Sequence, residues 1–493
     1  MSRLFRHAGF LLSMILFLGS VACKDDAGKV APPPAPWPPD TEDPPFIIDN
    51  INDTYPDVAP FESYPKWGPY NVHDPTIIKD GEYFYCYNTD VGFGIDVRLG
   101  IQIRKSKDLV DWKFTGWVFN KLPDMGAAYI KQAGGTPFNS LWAPYVMKAG
   151  GEFRLYYSLS SPTPRLSVIG LATSDSPEGP WTERGIVVRS ADDNSVHTNA
   201  IDPSVVVGKD GRHWIYYGSA WDGIYLLELD PVTGLAKTEL ARGNRIAQRG
   251  FTGNTINGNI EGAEIIYNQE QDKYYLFIAY DWLQTKYNVR VGRGDSPEGP
   301  FYDFNGVDLN TEEDNIPMIL APYQFMGHGG WQGTGHCAVF EDGGQYYMAH
   351  QGRPGVNSFY MVLHVRKMFW MDSGWPVVSP ERYAATEQSA VTPADIAGTW
   401  EQVVLNYQVV PGYADEQVSP NFQLALPLQL DAGGTINGDP MNHWTYTAPD
   451  LTLDFTDATY TARVERGRDW ENKKECLVFS GLSETGKAIW GKK

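Results

Sequence analysis

Two runs of sequence, HDPTIIKDGEYFYCY (73–87) and IDPSVVVGKDGRHWIYYGS (201–219), decide the fold because they follow one plan. A polar residue and a proline precede an apolar strand, and a Gly/Asp turn then leads into an aromatic strand. Apolar residues with period two on both sides of a short turn are typical of β-hairpins. The same plan returns in WAPYVMKAGGEFRLYYS (142–158), IEGAEIIYNQEQDKYYLFIAY (260–280) and GHCAVFEDGGQYYMAHQGR (335–353).

The spacing of these five hairpins predicts the architecture. Their heads align at Asp74, Ala143, Asp202, Glu261 and His336. The repeat therefore recurs every roughly 60 to 75 residues, a length that holds about four short strands, or one propeller blade. A β-sandwich or two unrelated β domains would not require such regular spacing. We predict an all-β protein in which residues 49–385 form a five-bladed β-propeller.

The pattern changes after Pro380. Residues 390–493 contain short alternating strands separated by Gly turns, which predicts a small antiparallel β-barrel domain. Such a module either caps the propeller or binds polysaccharide, and binding would require an exposed aromatic strip. The tryptophans available for that strip are Trp400, Trp444, Trp470 and Trp490.

The composition excludes several classes of protein. Of 493 residues, 42% are hydrophobic, which is enough for a core and argues against a largely disordered chain. A formal net charge of -20 disfavours nucleic acid as a partner, because an acidic surface repels phosphate backbones. Aromatic residues make up 13%, and exposed Trp and Tyr rings suit the flat apolar faces of sugars.

The first residues predict an exported protein. Residues 1–23 carry Arg3 and Arg6, then an apolar core, and end on Cys23, an arrangement that resembles a bacterial lipoprotein signal peptide. The alternative is ordinary secretion with an incidental cysteine. Residues 24–48 form a Pro-rich linker. We expect attachment to the membrane through a lipid on Cys23, at the outer membrane and facing outward.

The residues at the hairpin heads indicate chemistry. In a propeller the innermost strands line the central channel, so three carboxylates and one imidazole would meet around one cavity. Like charges packed together cost free energy unless they are paired or used. Cleavage of a glycosidic bond needs two carboxyl groups, and a third can hold the pKa of the acid up.

At this point the sequence resembles glycoside hydrolase family 43. The motifs HDPTI, IDPSV, IEGAEI, NSLWAP and GSAWDGI are similar to its five-bladed propellers, and GTGHCAVF is closest to its arabinanases. The resemblance implies that Asp74 is the general base, Glu261 the general acid and Asp202 the carboxylate that modulates pKa. Glu264 remains a rival for the acid. It also implies inversion, for which the two working carboxyls stand about 6.5–9.5 Å apart.

The same resemblance assigns the surrounding cleft. Trp142 and Trp221 occupy the positions of the sugar platform. Polar groups expected to contact substrate are Asn139, Ser140, Asn199, Ser219, Arg353 and His73, the last of which is equally a structural neighbour of the base. His336 matches a histidine that helps to hold a calcium ion at the axis, largely through water. The alternative is a buried histidine bonded to backbone.

We therefore expect a hydrolase that cleaves internal α-1,5 bonds of arabinan and binds arabino-oligosaccharides. Two other functions stay open. One is an exo-acting α-L-arabinofuranosidase or β-xylosidase on the same propeller, because loop lengths decide between a groove and a closed pocket. The other is a surface glycan-binding lipoprotein without catalytic activity, which would not need three acids at one axis.

Overall fold

The computed structural model describes residues 45–493, except 94–96, 194–197, 250, 253–254, 257–258, 312–316 and 407–417. The signal segment 1–23 with Cys23, and most of the linker that follows it, lie outside the described residues. Within the described ranges, no helix has the length and apolar character needed to traverse a lipid bilayer.

Five antiparallel sheets form the propeller blades, each built from strands in sequence order. Blade 1 contains β1 (Thr76–Asp80), β2 (Tyr83–Asn88), β3 (Gln102–Ser106) and β4 (Lys113–Trp117). Blade 2 contains β5 (Trp142–Ala149), β6 (Glu152–Leu159), β7 (Ser167–Ser174) and β8 (Thr182–Ser190). Blade 3 contains β9 (Ser204–Val207), β10 (His213–Tyr217), β11 (Ile224–Leu229) and β12 (Asn244–Ala247).

The last two blades are longer. A short hairpin, β13 (Phe251–Thr252) and β14 (Thr255–Ile256), comes before blade 4. Blade 4 contains β15 (Ile260–Asn268), β16 (Lys273–Tyr280), β17 (Asn288–Gly294) and β18 (Met318–Leu320). Blade 5 contains β19 (Tyr323–Gln324), β20 (Trp331–Asp342), β21 (Gln345–Pro354), β22 (Val362–Trp370) and β23 (Pro376–Val378). The first two strands of blades 1 to 4, and β20 with β21 in blade 5, are the hairpins expected from the sequence.

The C-terminal part closes into a barrel, joined in the order β24-β26-β27-β28-β29-β30-β31-β32. Its strands are β24 (Gly398–Leu405), β26 (Leu426–Leu430), β27 (Thr435–Ile436), β28 (Asp439–Thr447), β29 (Asp450–Asp454), β30 (Thr459–Asp469), β31 (Lys474–Ser483) and β32 (Ala488–Lys492). The predicted all-β class, with a five-bladed propeller followed by a barrel, is confirmed.

Helices are few and short among the described residues. They are two 3₁₀ turns, Ile48–Asn50 and Phe61–Lys66, and two α-helices, α1 (Asp124–Gln132) and α2 (Pro393–Ile396). Helix α2 begins with a capping box, in which Thr392 and Asp395 each accept a backbone N–H of the other.

Propeller and barrel share one sheet and one core. Strand β25 (Gln423–Leu424) pairs in parallel with β19, so a segment of the C-terminal part extends the sheet of blade 5. Trp490 of the barrel packs edge-on against Tyr323 of the propeller, with ring centroids 5.3 Å apart. The four barrel tryptophans that a polysaccharide platform would need are all buried, so they form no exposed strip. Burial of these rings favours the capping role.

The propeller ring is closed by the chain that precedes blade 1. Tyr70 forms a β-bridge with Val362, and the N–H of Leu363 donates to the carbonyl of Pro69. The buried Tyr55 hydroxyl donates to Asn71 at 2.9 Å and contacts the carbonyl of Met361 at 3.0 Å. These bonds join the entry of blade 1 to blade 5.

Candidate active site

A backbone kink places one residue of each repeat at the channel. In every blade the residue at the head of the innermost strand adopts a left-handed φ, which is uncommon for residues other than glycine. These residues are Asp74 (50°), Ala143 (31°), Asp202 (59°), Gly262 (59°) and His336 (20°). The alignment that put Glu261 among the heads is therefore wrong by one residue.

Glu261 stands one position earlier, equivalent to Trp142 in blade 2. The physical reason is a β-bulge, because the β15–β16 pairing skips two residues between Glu261 and Glu264. The β5–β6 pairing skips two residues in the same way between Trp142 and Tyr145. Glu261 therefore reaches the site from the residue before the kink, whereas Asp74 and Asp202 reach it from the kink itself.

Hydrogen bonds between neighbouring blades hold these heads in place. The N–H of Asp74 donates to Gln351 of blade 5 at 3.0 Å. The N–H of Ala143 donates to Thr89 of blade 1 at 2.7 Å, and that of Asp202 to Ser158 of blade 2 at 3.1 Å. The N–H of Gly262 donates to the Asp202 carboxylate at 3.2 Å. Since each bond crosses a blade boundary, the blades position the site jointly.

Asp74 is buried, and two imidazoles and one hydroxyl group contact its carboxyl. Its Oδ1 lies 2.7 Å from Nδ1 of His73 and 3.4 Å from Nδ1 of His336. Its Oδ2 accepts a hydrogen bond from Thr89 Oγ1 at 2.6 Å. Burial favours the neutral acid, but the two imidazoles and the Thr89 hydroxyl outweigh it and hold the pKa of Asp74 well below its usual range. Asp74 is therefore a carboxylate, as a base must be.

Glu261 is half-buried and held by two hydroxyl groups. Ser219 donates to Oε2 and Tyr287 donates to Oε1, both at 2.5 Å. Burial raises the pKa of Glu261, the two hydroxyl groups lower it, and the charge of Asp74 raises it again. The net pKa lies above the ordinary value for a glutamate, which favours the protonated form that a general acid needs.

Asp202 completes the group from blade 3. Burial, followed by the charges of Glu261 and Asp74, raises its pKa well above the usual range for an aspartate. Asp202 bonds to Gly262, which follows Glu261, and His336 lies against Gly262 and beside Asp74, so blades 1, 3 and 4 bring Asp74, Asp202 and Glu261 to one location. The pKa of Asp74 is lowered, whereas the pKa values of Glu261 and Asp202 are raised. Such a difference between neighbouring carboxyls is what an acid and a base at one site require.

His336 lies against Gly262 and beside Asp74. An added Cβ at position 262 would stand 2.9 Å from the imidazole ring, so only glycine leaves room for it. Burial lowers the pKa of His336. The side chains shown near it supply one imidazole nitrogen and one carboxylate oxygen, a poor match to the six to eight oxygens that calcium prefers. Calcium binding here stays a prediction.

Two predicted platform residues are half-buried rings. Trp142 packs at a tilt on Phe138 and donates its indole N–H to Ser140 at 2.8 Å. The guanidinium of Arg165 lies over the ring of Trp221, 5.2 Å from the ring centroid. The neighbouring Asp222 is paired with Arg245, so its charge is largely neutralised.

The remaining predicted contacts are distributed around the site. Asn139 is exposed, and Asn199 accepts a hydrogen bond from Ser167 at 2.8 Å. The Arg353 guanidinium donates to the carbonyl of Ser358 at 2.6 Å and is buried. Of the predicted substrate residues, the structure places His73 in direct contact with Asp74 and Ser219 in direct contact with Glu261. Roles in substrate binding stay predictions for all of them.

Glu264, the rival acid, points to a different location. Its carboxyl accepts hydrogen bonds from Ser204 at 2.7 Å and from the N–H of Val339 at 2.9 Å, and burial raises its pKa to about 7. Both partners lie on the inner strands of neighbouring blades, so this carboxyl joins blades 3, 4 and 5.

Sequence reasoning missed three residues that contact the carboxyl groups or the strand that carries them: Thr89, Tyr287 and Gln351. Thr89 and Gln351 lie in or next to the second strand of their hairpins, where their motifs look like ordinary strand sequence. Tyr287 precedes β17, in a segment that matched no repeat. Their role is visible only in the hydrogen bonds that the folded chain makes.

Comparison with known proteins gives the family. A family model described as glycosyl hydrolases family 43 matches residues 68–376, and a model for a C-terminal lipocalin-like domain matches 380–491. The chain belongs to glycosyl hydrolase family 43. This hydrolase is 28% identical over 465 residues to the extracellular endo-α-(1→5)-L-arabinanase 2 of Bacillus subtilis, covering 86% of this chain and 93% of that one.

Two more relatives of this family 43 hydrolase are informative. The crystal structure of endo-1,5-α-L-arabinanase from Thermotoga petrophila superposes with a TM-score of 0.73 at 26% identity, covering 87% of this chain and 98% of that one. The extracellular exo-α-(1→5)-L-arabinofuranosidase ArbA of Cellvibrio japonicus is 28% identical over 327 residues, covering 62% and 86% respectively.

Proposed function

We propose that this family 43 hydrolase cleaves internal α-1,5-L-arabinofuranosidic bonds of arabinan with inversion of configuration. The observation that carries the proposal is the opposite protonation of neighbouring carboxyls. Asp74 has a lowered pKa, whereas the pKa values of Glu261 and Asp202 are raised. One ionised and one protonated carboxyl at a common site are the base and the acid that glycosidic cleavage needs.

The steps follow from these protonation states. Glu261 delivers its proton to the glycosidic oxygen as the bond from that oxygen to the anomeric carbon breaks. Asp74 takes a proton from a water molecule, whose oxygen bonds to the same carbon from the opposite face. The negative charge of Asp74 favours the protonated form of Glu261. Asp202, whose own pKa is raised, accepts the N–H of Gly262 next to Glu261 and so positions the acid. Each turnover leaves Glu261 ionised and Asp74 protonated, and exchange with water restores both.

Endo cleavage is supported by the relatives that span both domains. The Bacillus and Thermotoga proteins, which this chain matches through propeller and barrel, are both named endo-arabinanases. The exo-acting Cellvibrio protein covers a smaller part of this chain. The exo-acting alternative on the same propeller therefore has weaker support. A glycan-binding protein without activity would have no use for carboxyls with opposite protonation.

Two variants test the assignment of acid and base. Glu261→Gln and Asp74→Asn should each lower kcat on linear arabinan by about 10²–10⁴-fold, because each removes one proton transfer and keeps the side-chain shape. Chromatography of the wild-type products should give a ladder of short arabino-oligosaccharides, and NMR of the first product should show the β-anomer.

Near-normal activity of Glu261→Gln would remove Glu261 from the mechanism. Release of arabinose alone would favour the exo alternative, and an α-anomer as first product would contradict inversion. Unchanged thermal unfolding of both variants is the control that the fold is intact.

An extracellular location is part of the proposal, and the names of the Bacillus and Cellvibrio relatives support it. Anchoring through a lipid on Cys23 at the outer membrane is the finer form of the same proposal and rests on the sequence alone. A calcium ion near His336 likewise rests on the family resemblance, and no step above passes through it.

A further inference from the structure

The carboxyl of Glu261 is held between two hydroxyl groups that differ in chemical behaviour. Tyr287 reaches Oε1 and Ser219 reaches Oε2, each at 2.5 Å. A phenol and an aliphatic hydroxyl on the two oxygens of one acid make those oxygens inequivalent. If Glu261 is the acid, as proposed above, the difference between its two oxygens decides which of them delivers the proton.

Tyr287 is fixed in place by its surroundings. Its N–H donates to the carbonyl of Trp282 at 3.0 Å, and its carbonyl accepts from the Thr334 hydroxyl at 3.1 Å. Its ring lies over Gly335, where an added Cβ would stand 2.8 Å from the ring carbon Cδ2. The phenol oxygen therefore has little freedom to leave Oε1.

Tyr287 acts as a donor in both protonation states of Glu261. Burial, together with the charges of Glu261, Asp202 and Asp74, raises the pKa of the Tyr287 hydroxyl well above its usual range, so it keeps its proton. Ser219 differs, because a phenol is the stronger donor and the weaker acceptor, its oxygen lone pair being delocalised into the ring, whereas an aliphatic hydroxyl accepts as readily as it donates. When Glu261 is protonated, a fixed donor at Oε1 requires that oxygen to be the carbonyl.

We propose that Tyr287 and Ser219 are positioning residues that decide which oxygen of Glu261 carries the catalytic proton. Tyr287 holds Oε1 as the carbonyl oxygen, and the proton resides on Oε2, beside Ser219. The bond from Oε2 to hydrogen is the one that breaks when the glycosidic oxygen is protonated. Ser219 turns to donate to Oε2 once the proton has left.

The experiment uses Tyr287→Phe in the full chain, assayed on linear arabinan across pH. Loss of the phenol removes a donor that lowers the pKa of Glu261, so that pKa rises. An acid works only when protonated, so the alkaline limb of kcat/KM should move to higher pH. The titratable groups around Glu261 that remain are Asp74, Asp202 and His73. We expect kcat to fall by about tenfold or more, because the proton is no longer confined to Oε2.

A second readout separates proton delivery from general damage. A 4-nitrophenyl α-L-arabinobioside has a leaving group that departs without protonation, whereas the phenyl glycoside needs the acid. Tyr287→Phe should therefore lose less activity on the nitrophenyl substrate than on the phenyl one. Tyr156→Phe is the matched control, since its hydroxyl bonds to the carbonyl of Gly234 at 3.0 Å in the propeller core. Its profile should equal that of the wild type.

Ser219→Ala is the second variant and should also move the alkaline limb to higher pH, with a smaller loss of kcat. It carries the test if Tyr287→Phe does not fold. An active wild type whose alkaline limb and leaving-group dependence are unchanged in these variants would overturn this inference alone. A wild type inactive on arabinan would overturn the proposed function and this inference with it.

Discussion

Two aspartates at equivalent strand heads, Asp74 and Asp202, have opposite pKa shifts. Both are buried, and burial alone raises the pKa of either carboxyl. Asp74 has two imidazoles and a hydroxyl beside it, whereas Asp202 faces two other acids and one backbone N–H. At the scale of single residues, the neighbours therefore decide the protonation state and the position in the repeat does not.

Glu264 offers a residue-scale prediction about stability and pH. Its pKa rises from 4.5 to about 7 on folding. Between those values the folded protein keeps a proton that the unfolded chain releases, so the free energy of unfolding falls as pH rises through this window. Glu264→Gln should match the wild type at pH 4 and exceed its stability by up to about 3 kcal/mol at pH 8.

Urea unfolding at the two pH values measures this difference. Glu62→Gln is the control, because Glu62 is exposed and should give the same result at both. A Glu264→Gln variant with a constant stability difference from pH 4 to pH 8 would contradict the assignment.

At the scale of the strand, Gly262 at the kink of β15 has a matched control in Gly343 of the turn between β20 and β21. Gly262 and Gly343 have φ of 59° and 60°, but only Gly262 has a neighbour, the His336 ring, close to an added Cβ. Gly343→Ala should cost about 1–2 kcal/mol, the price of a left-handed alanine. Gly262→Ala should cost a further 1–3 kcal/mol or so, because it must displace His336.

Denaturant unfolding and activity on arabinan check this pair. Gly262→Ala should also lose activity, since His336 lies beside Asp74, whereas Gly343→Ala should keep it. Equal stability losses in the two variants would mean that the imidazole moves aside without cost.

Strands and their hairpins were predictable from the sequence because their signals are local. Alternating apolar residues and Gly/Asp turns fix the β1–β2 or β9–β10 hairpin within about fifteen residues. The offset of Glu261 was not predictable, because a bulge leaves no mark in the order of residue types. Thr89 and Tyr287 were missed for a related reason, since each lies 15 or 26 residues along the chain from the carboxyl that it contacts within its own blade.

At the scale of the whole molecule, a buried ionic cluster joins the end of the propeller to the barrel. Lys492 of β32 lies 2.9 Å from Glu381, 3.1 Å from Asp469 and 2.8 Å from Glu471. Burial opposes the charge of Lys492, but Glu381 and Glu471 outweigh it and raise its pKa. Burial and the charge of Glu471 raise the pKa of Glu381, whereas at Glu471 the Lys492 ammonium outweighs burial and lowers the pKa. One ammonium therefore lies among three carboxyls, at least two of which have pKa values shifted in opposite directions, at the contact between the two units.

Lys492→Met should destabilise the protein strongly, by about 3–5 kcal/mol at neutral pH, because it leaves buried carboxylates without a counter-charge. The loss should shrink at pH 4, where those carboxylates take up protons. Lys487→Met, at an exposed position on the preceding turn, should have little effect at either pH. Calorimetry of the three proteins at both pH values is the measurement, and a pH-independent loss for Lys492→Met would contradict the argument.

The parallel pairing of β25 with β19 has a consequence for how the enzyme handles a long polymer. A module that delivers substrate to the active site by moving needs a flexible hinge, but here backbone hydrogen bonds between β19 and β25 connect the propeller to the C-terminal part. The barrel and the propeller therefore move as a single body, so any bending that lets the enzyme follow a polysaccharide must occur outside these two units. A C-terminal part fused to another protein would lack β19, the propeller strand with which β25 pairs.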